Sequence, residues 1–230
     1  MTRGRFITLE GGEGTGKTTQ IQNLHRYLTG KGIDCIVTRE PGGTPEAEKI
    51  RDLLVQREGG DWDPMSEALL LFAARREHLA KKIWPALEKG KWVISDRFVD
   101  SSRVYQGDAL GLGSHTIEAL YFMIAEEFSP DLTFIMDIDP EEGLKRSGKQ
   151  NQMSLDLSES TEDRYERLGL GFHEKVRKGF LNIAKNDPKR CVIVDASQSQ
   201  EDIFDQLKQI LELKYGIKSG KDAKVAHGTV

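Results

Sequence analysis

Phe6-Ile7-Thr8-Leu9-Glu10-Gly11-Gly12-Glu13-Gly14-Thr15-Gly16-Lys17-Thr18-Thr19 decides the fold. It begins as a short apolar run of strand length, passes through glycines, and opens a stretch in which Ile21, Leu24 and Leu28 keep helical spacing. Gly11 to Thr18 matches G-x-x-x-x-G-K-[ST] in the strand–turn–helix setting that the motif's mechanism requires. Glycines let successive backbone N–H groups turn inward around an anion, and the positive end of the following helix adds to the attraction. Lys17 would bridge the outer phosphates of a nucleoside triphosphate, and the Thr18 hydroxyl would ligate Mg²⁺. Gly11, Gly12, Glu13, Gly14, Thr15, Gly16, Lys17, Thr18 and Thr19 are therefore expected to contact the nucleotide. Switches, motors and kinases share such a loop, so the motif specifies a ligand and leaves the activity open.

Outward from this loop, short apolar runs alternate with helical patterns. Phe6–Glu10, Cys35–Thr38, Trp92–Asp96, Leu132–Asp137 and Cys191–Asp195 read as strands covered on both faces. Ser66–Leu87, Thr116–Glu127 and the stretch with Ile203, Leu207, Ile210 and Leu211 read as helices. The alternation predicts an α/β fold, a parallel sheet with helices on both faces. Ligands of such sheets bind beyond the carboxyl ends of the strands, so Glu10, Asp96, Asp137 and Asp195 are expected along one rim. Pro140–Arg146 reads as helical, and the polar stretch Ser147–Glu162 (SGKQNQMSLDLSESTE) as a lid or disordered insert. The tail 216–230 lacks an apolar face and reads as frayed, which leaves 1–215 as a single domain.

Composition narrows the functional classes. The chain has 230 residues, with 33 basic against 37 acidic side chains, so it lacks the basic excess of a nucleic-acid-coating protein. Its longest apolar runs, Ala68–Ala74 and Ala119–Ala125, fall short of a membrane span. Met1 to Arg5 leads straight into a strand and does not read as a signal peptide. Cys35 and Cys191 lack metal-ligand spacing and read as buried free thiols of a cytoplasmic protein. His78, His115 and His173 have no partners at zinc spacing, and Leu120 to Met123 reads as core or dimer interface.

Four further segments narrow the activity. Thr38-Arg39-Glu40-Pro41-Gly42-Gly43-Thr44 follows the second strand, and Glu67–His78 (EALLLFAARREH) is helical. Asp96-Arg97-Phe98-Val99-Asp100-Ser101-Ser102-Arg103-Val104-Tyr105-Gln106-Gly107 follows the third strand, and Asp163-Arg164-Tyr165-Glu166 closes the lid stretch. Together with LEGGEGTGKTTQ they resemble the bacterial thymidylate kinase family over about Arg5 to Tyr215. The resemblance implies a P-loop NTPase-type three-layer sandwich with a five-stranded parallel sheet and a lid at about 146–164. It further implies ATP as donor, dTMP as acceptor, Mg²⁺ dependence and a homodimer.

The resemblance also assigns roles. Arg39, Arg51 and Arg97 match arginines that surround the acceptor monophosphate, work that suits planar guanidinium forks. Arg75 would donate to thymine O4, Gln106 would pair with the N3/O4 edge with Ser102 nearby, and Tyr105 would pack under the deoxyribose. Relatives place a phenylalanine four residues before the arginine; here that position is Leu71 with Phe72 beside it, and either could meet the base, Phe72 could instead pair with Arg76, or the stripe could serve the core. Glu13 matches an acid at the 3′-hydroxyl, Glu10 and Asp96 are the candidate Mg²⁺ acids, and Arg146 matches a residue against adenine. Glu40-Pro41 matches a site where the peptide is often cis. The lid departs from the family pattern: instead of a short arginine-rich lid this chain has Arg146, Lys149 and Arg164 spread along a longer stretch, with Arg164 the expected lid cation.

Overall fold

The computed structural model describes residues 3–55, 62–153, 165 and 168–217. Five strands, β1 (Phe6–Gly11), β2 (Cys35–Arg39), β3 (Trp92–Asp96), β4 (Leu132–Asp137) and β5 (Cys191–Asp195), form one sheet in the order β2-β3-β1-β4-β5. All neighbours are parallel. The expected strands hold within one residue at each end. Chain order reverses on either side of β1, so the loop leaving β1 lies at the topological switch point of the sheet.

Residues alternate across the sheet and supply two cores. Ile7, Leu9, Ile94, Phe134 and Val194 pack with α1 (Lys17–Gly30) and α9 (Gln200–Tyr215). On the other face, Phe6 and Val93 pack with α3 (Pro64–His78), α4 (Trp84–Glu88) and α6 (Ser114–Ala125). Ile135 and Cys191 pack with Val176 and Phe180 of α8 (Leu170–Asn186). Each face is therefore closed by helices, the three-layer arrangement expected. Cys35 and Cys191 are buried and free on the two edge strands, and burial pushes both thiols up to about 12.

Local chemistry sets the helix ends. Asp63 caps α3 by accepting from the N–H groups of Met65 and Ser66, with Pro64 in the first turn. Ser199 caps α9 through Asp202, and Gly216 ends it in the left-handed conformation. The single helix expected over Ser66–Leu87 is interrupted by a π-helical turn at Leu79–Ile83 just before Pro85, which has no N–H to continue the regular ladder. The helix expected at Pro140–Arg146 runs on as α7 (Pro140–Met153) into the stretch read as a lid, because its Lys, Arg, Gln and Met residues favour helix without an apolar face. The rest of that stretch, Arg164 included, and the tail from residue 218 lie outside the described residues.

Candidate active site

The strand registers bring the functional segments to one rim: Asp96 stands opposite both Leu9 and Arg39, and Asp137 opposite Asp195. The four rim acids have different surroundings. Asp137 pairs with Arg177 at 2.7 Å, and Asp195 accepts from Ser197 and Gln198. Asp96 faces a cleft of about 650 Å³ that opens above the sheet. Glu10 departs from expectation. It shares strand parity with Phe6 and Thr8, is fully buried, and accepts from Phe98 N (2.8 Å), Ser101 N (3.3 Å) and Ser101 Oγ (2.6 Å). Those bonds make it a support for the loop after β3, and burial, then the nearby Asp100, pushes its carboxyl well above the usual carboxylate range.

The phosphate loop wraps the near end of the cleft. Gly14 has φ +67°, and a Cβ there would lie 1.9 Å from the carbonyl oxygen of Gly143 at the start of α7, so only glycine permits that approach. Lys17 Nζ donates to Gly11 O (3.1 Å), Gly12 O (2.8 Å) and Thr15 Oγ1 (3.2 Å). Burial, then repulsion from Arg97, lowers its amine to about 8. Thr18 Oγ1 donates to Asp96 Oδ2 at 3.2 Å. Glu13 has the cationic partner that an anion in a phosphate loop needs: its Oε1 accepts from Arg97 Nη2 (2.8 Å) and the Tyr105 hydroxyl (3.2 Å). Burial raises the Glu13 carboxyl, but Arg97 and then Lys17 outweigh it and hold the group below the usual range.

Guanidinium groups line the far end. Arg97, at φ 64°, turns back from β3 to donate to Gly11 O at 2.9 Å and lies over the Tyr105 ring. Arg39 pairs with Glu48 at 2.8 Å, and Arg51 donates to Pro41 O across the cis Glu40-Pro41 segment. Burial, then the neighbouring Arg39, holds the Arg51 guanidinium below its usual value. Arg75 donates through Nε to Glu40 (2.7 Å) and through Nη2 to Ser102 Oγ (3.0 Å) and Phe98 O (3.3 Å). Gln106, Tyr105 and Leu71 line the same cleft, and Phe72 does not. Phe72 is buried with Tyr121 and Phe98, beneath Arg75, so as a base contact it is corrected to core. Its other suggested partner, Arg76, lies over Trp84. Arg146 binds the loop after β5 through Ala196 O and Ser197 O and also pairs with Glu142.

A phosphate loop and an arginine-lined pocket thus share one cleft. The thymidylate kinase family profile matches residues 9–207. This chain belongs to the thymidylate kinase family. It is similar to the thymidylate kinase of Alkalilimnicola ehrlichii, 46% identical over 92% of this chain and 94% of that one. The Clostridium novyi thymidylate kinase is 41% identical over 92% and 100% respectively. The crystal structure of thymidylate kinase from Ehrlichia chaffeensis superposes with a TM-score of 0.72 at 34% identity, covering 91% of this chain and 99% of that one.

Several residues of this thymidylate kinase fold escaped the sequence reading because their partners are remote. His78 donates and accepts between Glu40 Oε1 (3.0 Å) and Thr38 Oγ1 (2.6 Å), so the carboxylate that fixes Arg75 is itself held from its other side. Arg75 and then His78 keep Glu40 below its usual range against the opposing effect of burial. Asp100 anchors Arg190 at 2.5 Å and Arg103 at 2.8 Å beneath the loop after β3. Glu67 meets Gln106 and Tyr165. A charged residue inside the apolar pattern of α3 was the available signal for Glu67.

Proposed function

We propose that the cleft transfers the γ-phosphoryl group of ATP to dTMP, giving dTDP and ADP, with Mg²⁺ assistance. The observation that carries the reading is the position of Arg97. One guanidinium contacts the phosphate loop at Gly11 O and the acid Glu13 in a cleft that Arg39, Arg51, Arg75 and Gln106 also line. A donor phosphate in the loop and an acceptor phosphate among the arginines would meet at Arg97. The acceptor oxygen is ionised at neutral pH, so the step needs alignment and charge neutralisation more than a base. Lys17 and the loop N–H groups would hold the donor, with Thr19 and Arg146 at its nucleoside side. Arg39 and Arg51 would hold the acceptor phosphate, Glu13 and Tyr105 would bound its sugar, and Leu71, Arg75, Ser102 and Gln106 its base.

The Thr18 hydroxyl and the Asp96 carboxylate are hard oxygen donors 3.2 Å apart, a pair that fits Mg²⁺ completing its coordination with phosphate oxygens and water. When bound, the ion would neutralise charge on the phosphates. Phe122 and Met123 of α6 are 62% and 70% exposed and Leu69 of α3 is 51% exposed, which supports a homodimer through that face. Among the described residues no helix is long and apolar enough to cross a membrane, which is compatible with a cytoplasmic enzyme whose single domain occupies 1–215.

The test is ADP release with ATP and Mg²⁺, with and without each nucleoside monophosphate. Stimulation by dTMP on the order of 100-fold or more is expected. Equal turnover without any acceptor would instead indicate a nucleotide-driven switch and overturn the reading.

A further inference from the structure

Gln106 is 3% exposed at the cleft wall, and its amide nitrogen is fully engaged. Nε2 donates to Glu67 Oε1 at 2.7 Å and to the Tyr165 hydroxyl at 3.0 Å, while that hydroxyl donates to the same Glu67 oxygen. The three side chains form a closed triangle in which both routes of donation run from Gln106 to Glu67. A carboxylate only accepts, and the tyrosine proton is committed to it, so both neighbours present lone pairs to Gln106. Reversing the amide would set its oxygen against two other oxygens in a buried site, where unfavourable polar contacts are least screened. The protein, not the ligand, therefore decides which end of the amide faces the cleft. That end is Oε1, which has no partner among the described residues. Arg75 supplies the complement: its Nη1 is buried and without a hydrogen-bond partner, while Nε and Nη2 are held by Glu40, Ser102 and Phe98.

We propose that Glu67, with Tyr165, locks the Gln106 amide oxygen toward the cleft and so makes the pocket selective for a pyrimidine whose ring N–H lies beside a carbonyl, over the corresponding amino pyrimidine. The proposal rests on the dTMP reading above and adds two positioning residues to it. Neither needs to touch the base. They act by denying Gln106 the flip that would turn its NH₂ group toward a ring nitrogen lone pair. Thymine offers N–H beside C=O, whereas 5-methylcytosine offers a lone pair beside NH₂ with the same methyl group and nearly the same shape.

The experiment compares kcat/KM for dTMP and 5-methyl-dCMP in the full-length protein and in the Glu67→Gln and Tyr165→Phe variants. Glutamine at position 67 both donates and accepts, so Gln106 is freed to reverse. The dTMP preference should fall about tenfold in Glu67→Gln, through a higher KM for dTMP and a lower KM for 5-methyl-dCMP. Tyr165→Phe removes one acceptor and should shift the ratio about threefold the same way. A purely structural role would depress both substrates equally and leave the ratio unmoved, and that result overturns the proposal. If Glu67→Gln fails to fold by circular dichroism, an unchanged ratio in Tyr165→Phe overturns it alone. Failure of the unsubstituted protein to phosphorylate dTMP would sink the functional reading instead, and the two failures are distinct.

Discussion

At the loop end of the cleft the wall is one continuous stretch, Glu13 to Thr19. At the other end Arg39, Leu71, Arg75, Arg97 and Gln106 arrive from three separate parts of the chain. Their supports, Glu40, Glu48 and Glu67, are acids in the same wall. The first end is shaped by backbone conformation and tolerates little change in the size of a residue. The second is shaped by paired charges and tolerates little change in their sign. Anions of similar charge can thus be held by two kinds of site whose vulnerabilities differ.

The largest expected effect falls on the loop side chain that carries positive charge. Lys17→Met should lower phosphoryl transfer on the order of 10³-fold in a steady-state ADP assay. It should also stabilise the nucleotide-free protein. Lys17 titrates at about 8 in the fold against 10.5 for a free lysine, a cost of about 3 kcal/mol while the amine is charged in both states. That cost is complete below pH 8 and fades as the pH rises toward 10.5, so the thermal advantage of the variant should shrink across that window. A variant less stable than the parent at pH 7 would break the contrast at its donor end.

The acceptor end should fail differently. Glu40→Gln leaves Arg75 buried without its counter-charge and should cost about 3 kcal/mol in denaturant unfolding. Its KM for dTMP should rise about tenfold while that for ATP moves less than twofold. Equal movement of both constants would mean that the two ends are one mechanical unit. The smallest effect is a proton: ATP binding at pH 8 should take up about half a proton as the phosphates recharge Lys17. Calorimetry in buffers of different ionisation enthalpy reads this uptake, which Lys17→Met should abolish.

The same contrast explains what could be read from the chain. β1, the loop and α1 are contiguous, and their meaning is carried by spacing within a dozen residues, so the strand limits and the strand–loop–helix order were legible. Leu71 and Phe72 were not separable, since both fall on turns adjoining Arg75, and only the arrival of Tyr121 and Phe98 draws Phe72 inward. Glu10 resembled a rim acid because it ends a strand, yet the parity it shares with Phe6 turns it beneath the loop after β3. Glu67, Tyr165 and His78 take their roles from partners dozens of residues away.

Gly14 and Gly143 touch backbone to backbone, with no side chain between the phosphate loop and the first turn of α7. Four residues further along that helix, Ser147 is a buried part of the cleft wall, about 6 Å up the axis. The position of the loop therefore fixes the position of a helix whose next turn borders the cleft. A single methyl group at residue 143 would fall 2.5 Å from the Glu13 carbonyl oxygen, so the two could no longer keep their present spacing.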